Sequence, residues 1–331
     1  MTKPGKYGTV NPMPRRIFIL LIVFLIWTQG AYAFWVWTPE TGKWINPKWD
    51  VKDTPQEQLE FALESYKAKD YEKANNEFQK LIKHYPKARE AAEAQYYIGQ
   101  SLEDQGQFYK AFKAYQMVIE KYPFSERSPQ IVEKQYQIGE KLLEGQGKRS
   151  KFVTVVIGSE YDVVDVFRTV IKNAPYGKLA APSQYKIGLY LQEKGMFQES
   201  RDEFEKVIND YPDSEWVKAA KYQIALVDSQ RSTPAEYDQN VTKSAVEEFK
   251  EFVTLYPDAE LSDKAKEHIN VLKEKEAENN FLIARFYEKQ KNYKAARVYY
   301  DTIIKEYAFS PLATKAVEKL RELDLKEKKT P

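Results

Sequence analysis

Apolar residues recur at three- and four-residue steps through most of the chain, and the stretch Ala91–Pro123 shows the pattern most plainly. Ala91, Ala94, Ile98 and Leu102 mark one amphipathic face, and Ala111, Tyr115, Ile119 and Tyr122 mark a second, with Gly106 between them. This period is that of helices with one buried stripe, so the stretch predicts two short helices joined at Gly106. Pro123 ends the second, because proline lacks an N–H and pushes the preceding residue out of the helical region. One such hairpin buries too little apolar surface to be stable alone and needs neighbours of the same shape.

The neighbours are present. The set Ala111, Tyr115, Ile119, Tyr122, Pro123 has a copy at Ala74, Phe78, Ile82, Tyr85, Pro86. Further copies follow at Val163, Phe167, Ile171, Ala174, Pro175 and at Ser200, Phe204, Ile208, Tyr211, Pro212. The last two are Ala245, Phe249, Val253, Tyr256, Pro257 and Ala296, Tyr300, Ile304, Tyr307, Ala308. The first helices repeat as well: Ala62, Gly99, Gly139, Gly188, Ala225 and Ala284 each follow a bulky apolar residue. A small residue there lets the two helices of a pair approach closely. The predicted fold is an all-α solenoid of about six helix pairs spanning 54–325, with a capping helix over Pro311–Leu325. The small–aromatic–proline pattern resembles the tetratricopeptide repeat at Gly99, Ala111, Tyr115 and Pro123, which implies a right-handed superhelix.

Outside the repeats the pattern changes. Residues 1–33 begin with basic residues and continue into the apolar run Ile17–Trp27, followed by Ala31-Tyr32-Ala33. This is the layout of an export signal cleaved before Phe34; the run is shorter than the ~20 residues a spanning helix needs. An uncleaved anchor is the alternative, and Met13 is a second candidate start. The segment 34–53 carries Trp35, Trp37, Trp44 and Trp49, four of the six tryptophans. Pro39–Gly42 predicts a turn between two extended runs. The indoles either cover the open end of the first repeat or meet a membrane interface or partner, where tryptophan is favoured. Thr54-Pro55-Gln56-Glu57 predicts a capped helix start. In the third repeat Gly145-Gln146-Gly147 is expected to break the helix after Leu143, and the insertion at about 146–159 is either a tucked-in element or a docking element. A polar loop is expected near Ser229–Asn240, a long helix over Ser262–Tyr287, and a disordered charged tail over 326–331.

Composition narrows the chemistry. Charged residues make up 30% of the chain with both signs interspersed, and removing the four leader cations leaves 47 basic against 49 acidic residues. That balance describes solvated helix faces and not a nucleic-acid footprint. The chain has no cysteine, which excludes disulfides, thiolate zinc sites, cysteine nucleophiles and a lipid-anchor cysteine. His84 adjoins a helix end, where a histidine meets the dipole, and His268 has no metal-ligand neighbour at the right spacing. No phosphate loop, dinucleotide fingerprint, zinc-protease or serine-hydrolase motif occurs. No catalytic residue, metal or cofactor is therefore expected.

Three residues before each small residue stands Leu59, Tyr96, Tyr136, Tyr185, Tyr222 or Phe281. In tetratricopeptide repeats that position faces the groove, so the resemblance implies a peptide-binding ladder of Tyr96, Tyr136 and Tyr185. Gln100, Glu140 and Gln192 would supply hydrogen bonds to a bound backbone. The competing reading is that the rings fill space between helices.

Residues Tyr256–Leu323 resemble the BamD family of the outer-membrane β-barrel assembly machine. The likeness lies in the Tyr256-Pro257-Asp258 junction, the long helix after it, Phe286-Tyr287 and the Tyr293–Ala296 helix start. The resemblance implies a non-enzymatic scaffold in the periplasm, peripherally associated with the outer membrane. Its expected partners are unfolded barrel precursors, on the tyrosine ladder, and the β-barrel insertase, at Lys289, Lys291, Asn292 and Arg297. Peripheral membrane contact would fall to Trp35, Trp37, Trp44 and Trp49, and no nucleic acid is implied. The rival is a periplasmic tol-pal-type adaptor in envelope constriction or cell-wall synthesis.

Overall fold

The computed structural model describes residues 36–38, 42–45, 50–147, 163–232, 234–235, 237 and 239–327. The expected leader, the inserted residues from 148 onward, Trp35, Trp49 and the last four residues lie outside them. The described chain divides into two compact units, residues 1–94 and 95–331.

The first unit opens with β1 (Val36–Thr38) and β2 (Lys43–Ile45), antiparallel with Trp37 opposite Trp44. Gly42 precedes β2 at φ +60°; the rest of the expected turn lies outside the described residues. The two indoles are 48% and 65% exposed. The chain just after the hairpin is tied down: the Tyr85 hydroxyl donates to the carbonyls of Lys52 (2.7 Å) and Asp53 (3.0 Å). Next come α1 (Pro55–Lys67) and α2 (Tyr71–His84). Thr54 caps α1 by accepting from the Glu57 N–H at 3.2 Å, with Pro55 in the first turn. The helix α3 (Arg89–Asp104) crosses into the second unit.

The second unit continues with α4 (Phe108–Lys121), α5 (Ser128–Gly147), α6 (Val163–Asn173), α7 (Ala180–Glu193), α8 (Phe197–Asp210) and α9 (Trp216–Arg231). It ends with α10 (Asn240–Leu255), the 30-residue α11 (Glu260–Lys289), α12 (Tyr293–Glu306) and α13 (Pro311–Glu327). The described helices are six pairs, each an A helix followed by a B helix, plus the terminal α13. Two boundaries differ from expectation. Helix α5 continues through Gly145 and Gly147, since a glycine costs a helix only ~1 kcal/mol and is no obligatory stop. Helix α13 runs two residues into the expected tail.

The pairs are built alike. The small residues at 62, 99, 139, 188, 225 and 284 are all buried. A Cβ on Gly99 would lie 2.6 Å from the Tyr115 ring, on Gly139 2.8 Å from Phe167, and on Gly188 2.6 Å from Phe204. In these three pairs the aromatic of the B helix therefore rests directly on the A-helix backbone. Three residues after that aromatic, Leu81, Val118, Val170, Val207, Phe252 and Ile303 are at most 1% exposed. The apolar residues one step further on (Ile82, Ile119, Ile171, Ile208, Val253, Ile304), singled out by the pattern, are only half-buried. Every B-to-A junction closes with the same turn: the N–H of Ala88, Ser125, Gly177, Ser214, Ala259 and Ser310 donates three residues back. A second regularity is polar. Gln58, Gln95 and Gln184 are buried and donate to a backbone carbonyl 19 residues on, that of Glu77, Ala114 and Glu203. The remaining member of the series, Gln135, donates instead to Gln116 and accepts from Asn173, at 2.9 Å each.

Candidate peptide-binding face

Every residue of the expected ladder in the second unit stands on an A helix, and A helices of successive pairs are joined to one another. Glu133 on α5 pairs with Lys178 just before α7 (2.7 Å), and Glu140 on α5 with Lys186 on α7 (3.2 Å). Gln192 on α7 donates to Gln230 on α9 (3.1 Å), and Gln223 on α9 to the Tyr185 hydroxyl (3.3 Å). The structure thus brings Tyr136, Glu140, Tyr185 and Gln192 onto one polar-edged face.

The rings themselves are committed to packing. Tyr96 is 4% exposed and Tyr185 8%, and Tyr136 is half-buried. Each lies against the aromatic of its own B helix, at centroid distances of 5.6 Å (Tyr115), 5.7 Å (Phe167) and 5.3 Å (Phe204). Tyr222 and Phe281 repeat the contact with Phe249 and Tyr300. The Arg127 guanidinium covers Tyr96 at 4.7 Å, and the Tyr96 hydroxyl donates to Gln100 (3.2 Å). Burial, and then the charge and hydrogen bond of Glu140, push the Tyr136 phenol up to about 12. Burial also raises Tyr185, with Gln223 opposing. The ladder exists, but as the aromatic layer between paired helices. Its hydroxyls and the amides beside them form the edge of the face.

The expected partner corner lies between α11 and α12. Lys289, Lys291 and Asn292 are exposed. Asn292 is also the cap of α12, accepting from the Ala295 N–H at 3.2 Å, and half-buried Arg297 is paired with Asp324 of α13. Those two side chains thus also have roles within the fold. Arg285, Phe286 and Lys294 are exposed beside the remaining lysines; of these only Phe286 figured in the sequence pattern, and there without a contact role.

Buried acids have structural partners. Glu77 is held by Lys80 (2.8 Å) and Gln58 (2.9 Å), and Glu203 by Arg168 (2.9 Å), Lys206 (2.8 Å) and Gln184. Asp228 is held by Arg201 (2.9 Å) and Arg231 (3.0 Å), and Glu276 by the Tyr307 hydroxyl (3.1 Å). His268 stacks on Phe249 at 5.1 Å. Among the described residues no three histidine or carboxylate side chains gather as a metal site, and no helix is long and apolar enough to cross a membrane.

Helix pairs with a small residue under an aromatic, repeated in one register, define a tetratricopeptide-repeat protein. Residues 59–126 and 183–214 match tetratricopeptide-repeat family models. Residues 224–329 match the YfiO model, described as an outer membrane lipoprotein, so the last third of this repeat protein is of BamD-like, YfiO type. Among solved structures, a TPR repeats protein from Bacteroides fragilis NCTC 9343 is 16% identical. It covers 67% of this chain and 99% of its own at a TM-score of 0.42. MamA from residue 41 onward, of Desulfovibrio magneticus RS-1, is 15% identical and covers 64% and 99% at 0.32. The C-terminal part of a TPR repeat-containing protein from Cytophaga hutchinsonii is 16% identical and covers 81% and 88% at 0.37. All three scores lie below one half, so the class rests on the chain's own repeats and the repeat models. No curated protein matches the sequence.

Proposed function

We propose that the protein is a non-enzymatic periplasmic scaffold of outer-membrane β-barrel assembly. In this reading unfolded barrel precursors meet the A-helix face around Tyr136, Glu140, Tyr185 and Gln192. The membrane-embedded insertase meets the α11–α12 corner. The observation that carries the reading is the YfiO-type match over 224–329, which takes in that corner. Arg285, Lys289, Lys291 and Lys294 are exposed there beside Phe286, itself 57% exposed. Such a cluster suits an acidic partner surface with an apolar centre. The scaffold reading also agrees with the buried carboxylates, which are spent on joining helices. A chain without cysteine needs another route to the membrane, and the exposed Trp37–Trp44 pair supplies indoles of the kind favoured at lipid headgroups.

In-cell photo-crosslinking from positions 136 and 291 tests the reading. Barrel precursors are expected from the first position and the insertase from the second. Charge reversal at Lys289, Lys291 and Lys294 is expected to cut insertase recovery ~10-fold while leaving the melting temperature unchanged, because the three side chains are solvent-exposed. Recovery of a Tol component or a peptidoglycan synthase from position 291 would replace this reading with the tol-pal-type adaptor.

A further inference from the structure

A cleft of about 280 Å³ opens between α8, α9 and α10 of the second unit. Its floor is apolar: Ile224 and Phe252 are buried and Ile208 is half-buried. Its rim carries the carboxylates of Glu205, Glu248 and Glu251. The volume falls just below the ~300–1,000 Å³ of small-molecule pockets, so there is room for one long side chain and not for a folded element.

The two cations in the lining are engaged within the chain. Arg201 is shared by Glu205 (3.2 Å), Asp228 (2.9 Å) and Glu248 (2.8 Å), and Lys221 pairs with Glu251 (2.9 Å). Glu205 and Glu251 each use one oxygen in these pairs, leaving the other without a partner. The second oxygen of Glu248 is buried and has no hydrogen-bond partner, which marks a cluster short of a donor. The helix ends add to the deficit. B helices α2, α4, α6 and α12 carry a lysine in the last turn (Lys83, Lys121, Lys172, Lys305), where a cation meets the negative end of the helix dipole. Helices α8 and α10 carry none, and both end beside the cleft, which Asn209 and Phe252 line from their last turns. The chain beyond is acidic as well: Asp213 and Glu215 after α8, and Asp258 and Glu260 after α10, are exposed. Of the nearby cations, Arg231, Lys206 and Lys250 pair with Asp228 (3.0 Å), Glu203 (2.8 Å) and Glu247 (2.6 Å). Lys243 stands at the opposite end of α10, and Lys218 lies over the Tyr256 ring at 5.8 Å. The surface around the cleft is therefore net negative.

We propose that this cleft receives a lysine or arginine side chain from a basic segment of a partner protein. The apolar stem of such a side chain would lie on Ile208, Ile224 and Phe252, and its cationic head would reach the open oxygens of Glu205 and Glu251. A metal ion does not suit the cleft, because no three carboxylates among the described residues gather as a metal site. The site is separate from the A-helix ladder and from the α11–α12 corner, and it does not depend on the outer-membrane reading. The probe is a short acetylated and amidated peptide with a central Lys-Arg-Lys run between serines, titrated into the full chain and followed by calorimetry.

Saturable binding is expected. E205Q/E251Q, which removes the two open charges, should weaken it ~10-fold or more, as loss of charge-assisted hydrogen bonds does. N209W, which fills the cleft from an exposed position, should weaken it as much without lowering the melting temperature. E60Q/E64Q, which removes two exposed charges from α1, should bind like the unaltered chain. So should K289E/K291E, which separates failure here from failure of the insertase contact. Absence of saturable binding, or equal binding by all variants, overturns the proposal. Equal weakening by E60Q/E64Q does so too, because attraction would then follow net charge and not the cleft. So does equally tight binding of the same peptide with glutamines in place of its basic residues. Binding of spermine without binding of the peptide would overturn it in favour of a free polyamine.

Discussion

At Gly188 the missing side chain is occupied space: the Phe204 ring lies where a Cβ would project, 2.6 Å from it. Overpacking of this kind costs ~1–3 kcal/mol, so G188A should lower the denaturant midpoint correspondingly. G188A combined with F204L should lose less than the sum of the two single changes, because the smaller side chain vacates the contested volume. Equal additivity in urea titrations would show that the two residues do not share the site. The glycine was legible because its spacing from the aromatic repeats. A subtler coupling was legible only in hindsight. Tyr115 and Tyr300 are the two B-helix aromatics with a hydroxyl, and each donates to a glutamate four residues after the small residue, Glu103 (2.9 Å) and Glu288 (3.2 Å). Where the ring is phenylalanine, that position holds Tyr66, Leu143, Gln192 or Ser229. Burial, followed by the Glu103 charge, raises the Tyr115 phenol far above its ordinary range, so this hydroxyl stays a donor at any physiological pH.

The elements are joined by two kinds of turn, and the sequence disclosed them unequally. B-to-A junctions announce themselves through proline. In the A-to-B turns one residue is left-handed: Gly106 and Gly195 at φ +72° and +75°, but Lys69 and Lys291 at +61° and +59°. The hydrogen bonds are the same with either residue, as in Gly106 N–H to Glu103 and Lys291 N–H to Glu288. A side chain in this region costs ~1–2 kcal/mol, partly offset by the greater freedom of glycine in the unfolded chain. K69G should therefore raise stability by ~0.5–1 kcal/mol, measured as a shift in melting temperature, with no change in helix content by circular dichroism. A fall in stability would mean that the lysine makes a compensating contact. No periodic signal marks these lysines, which is why the turn was visible only at its glycines. The reverse error occurred at Gly145 and Gly147. There glycine was read as a stop, although α5 continues past Gly145 and ends at Gly147.

At the scale of the whole chain, apolar periodicity gives the six pairs and their cap, while the polar contacts between pairs were hidden. Gln58, Gln95, Gln135 and Gln184 look like surface residues of amphipathic helices, and only their fixed place before each ladder position hints that they are buried. The acids of the second unit carry a consequence for pH. Burial alone would raise Glu203, but the hydrogen bonds and charges of Lys206 and Arg168 outweigh it and hold the carboxyl below its ordinary value of 4.5. Burial raises Glu248 and Glu276 above that value, against the opposing pull of Arg201 and of the Tyr307 hydroxyl respectively. The signs differ by linkage. The contribution of Glu203 is present above its unfolded value and is lost as pH falls through the lower folded one. The contributions of Glu248 and Glu276 are complete below the unfolded value and are lost as pH rises through the higher folded one. Acidification should then loosen the joint between α6, α7 and α8, which Glu203 ties together, while relieving α10 and α11. In a repeat array, where each pair is stabilised mainly by its neighbours, such opposed terms act locally instead of cancelling. Melting temperature against pH should show it. E203Q should flatten the acid limb below 4.5, and E248Q with E276Q should flatten the change above it, each leaving the other limb in place. Identical profiles for all three proteins would place the pH response elsewhere in the chain.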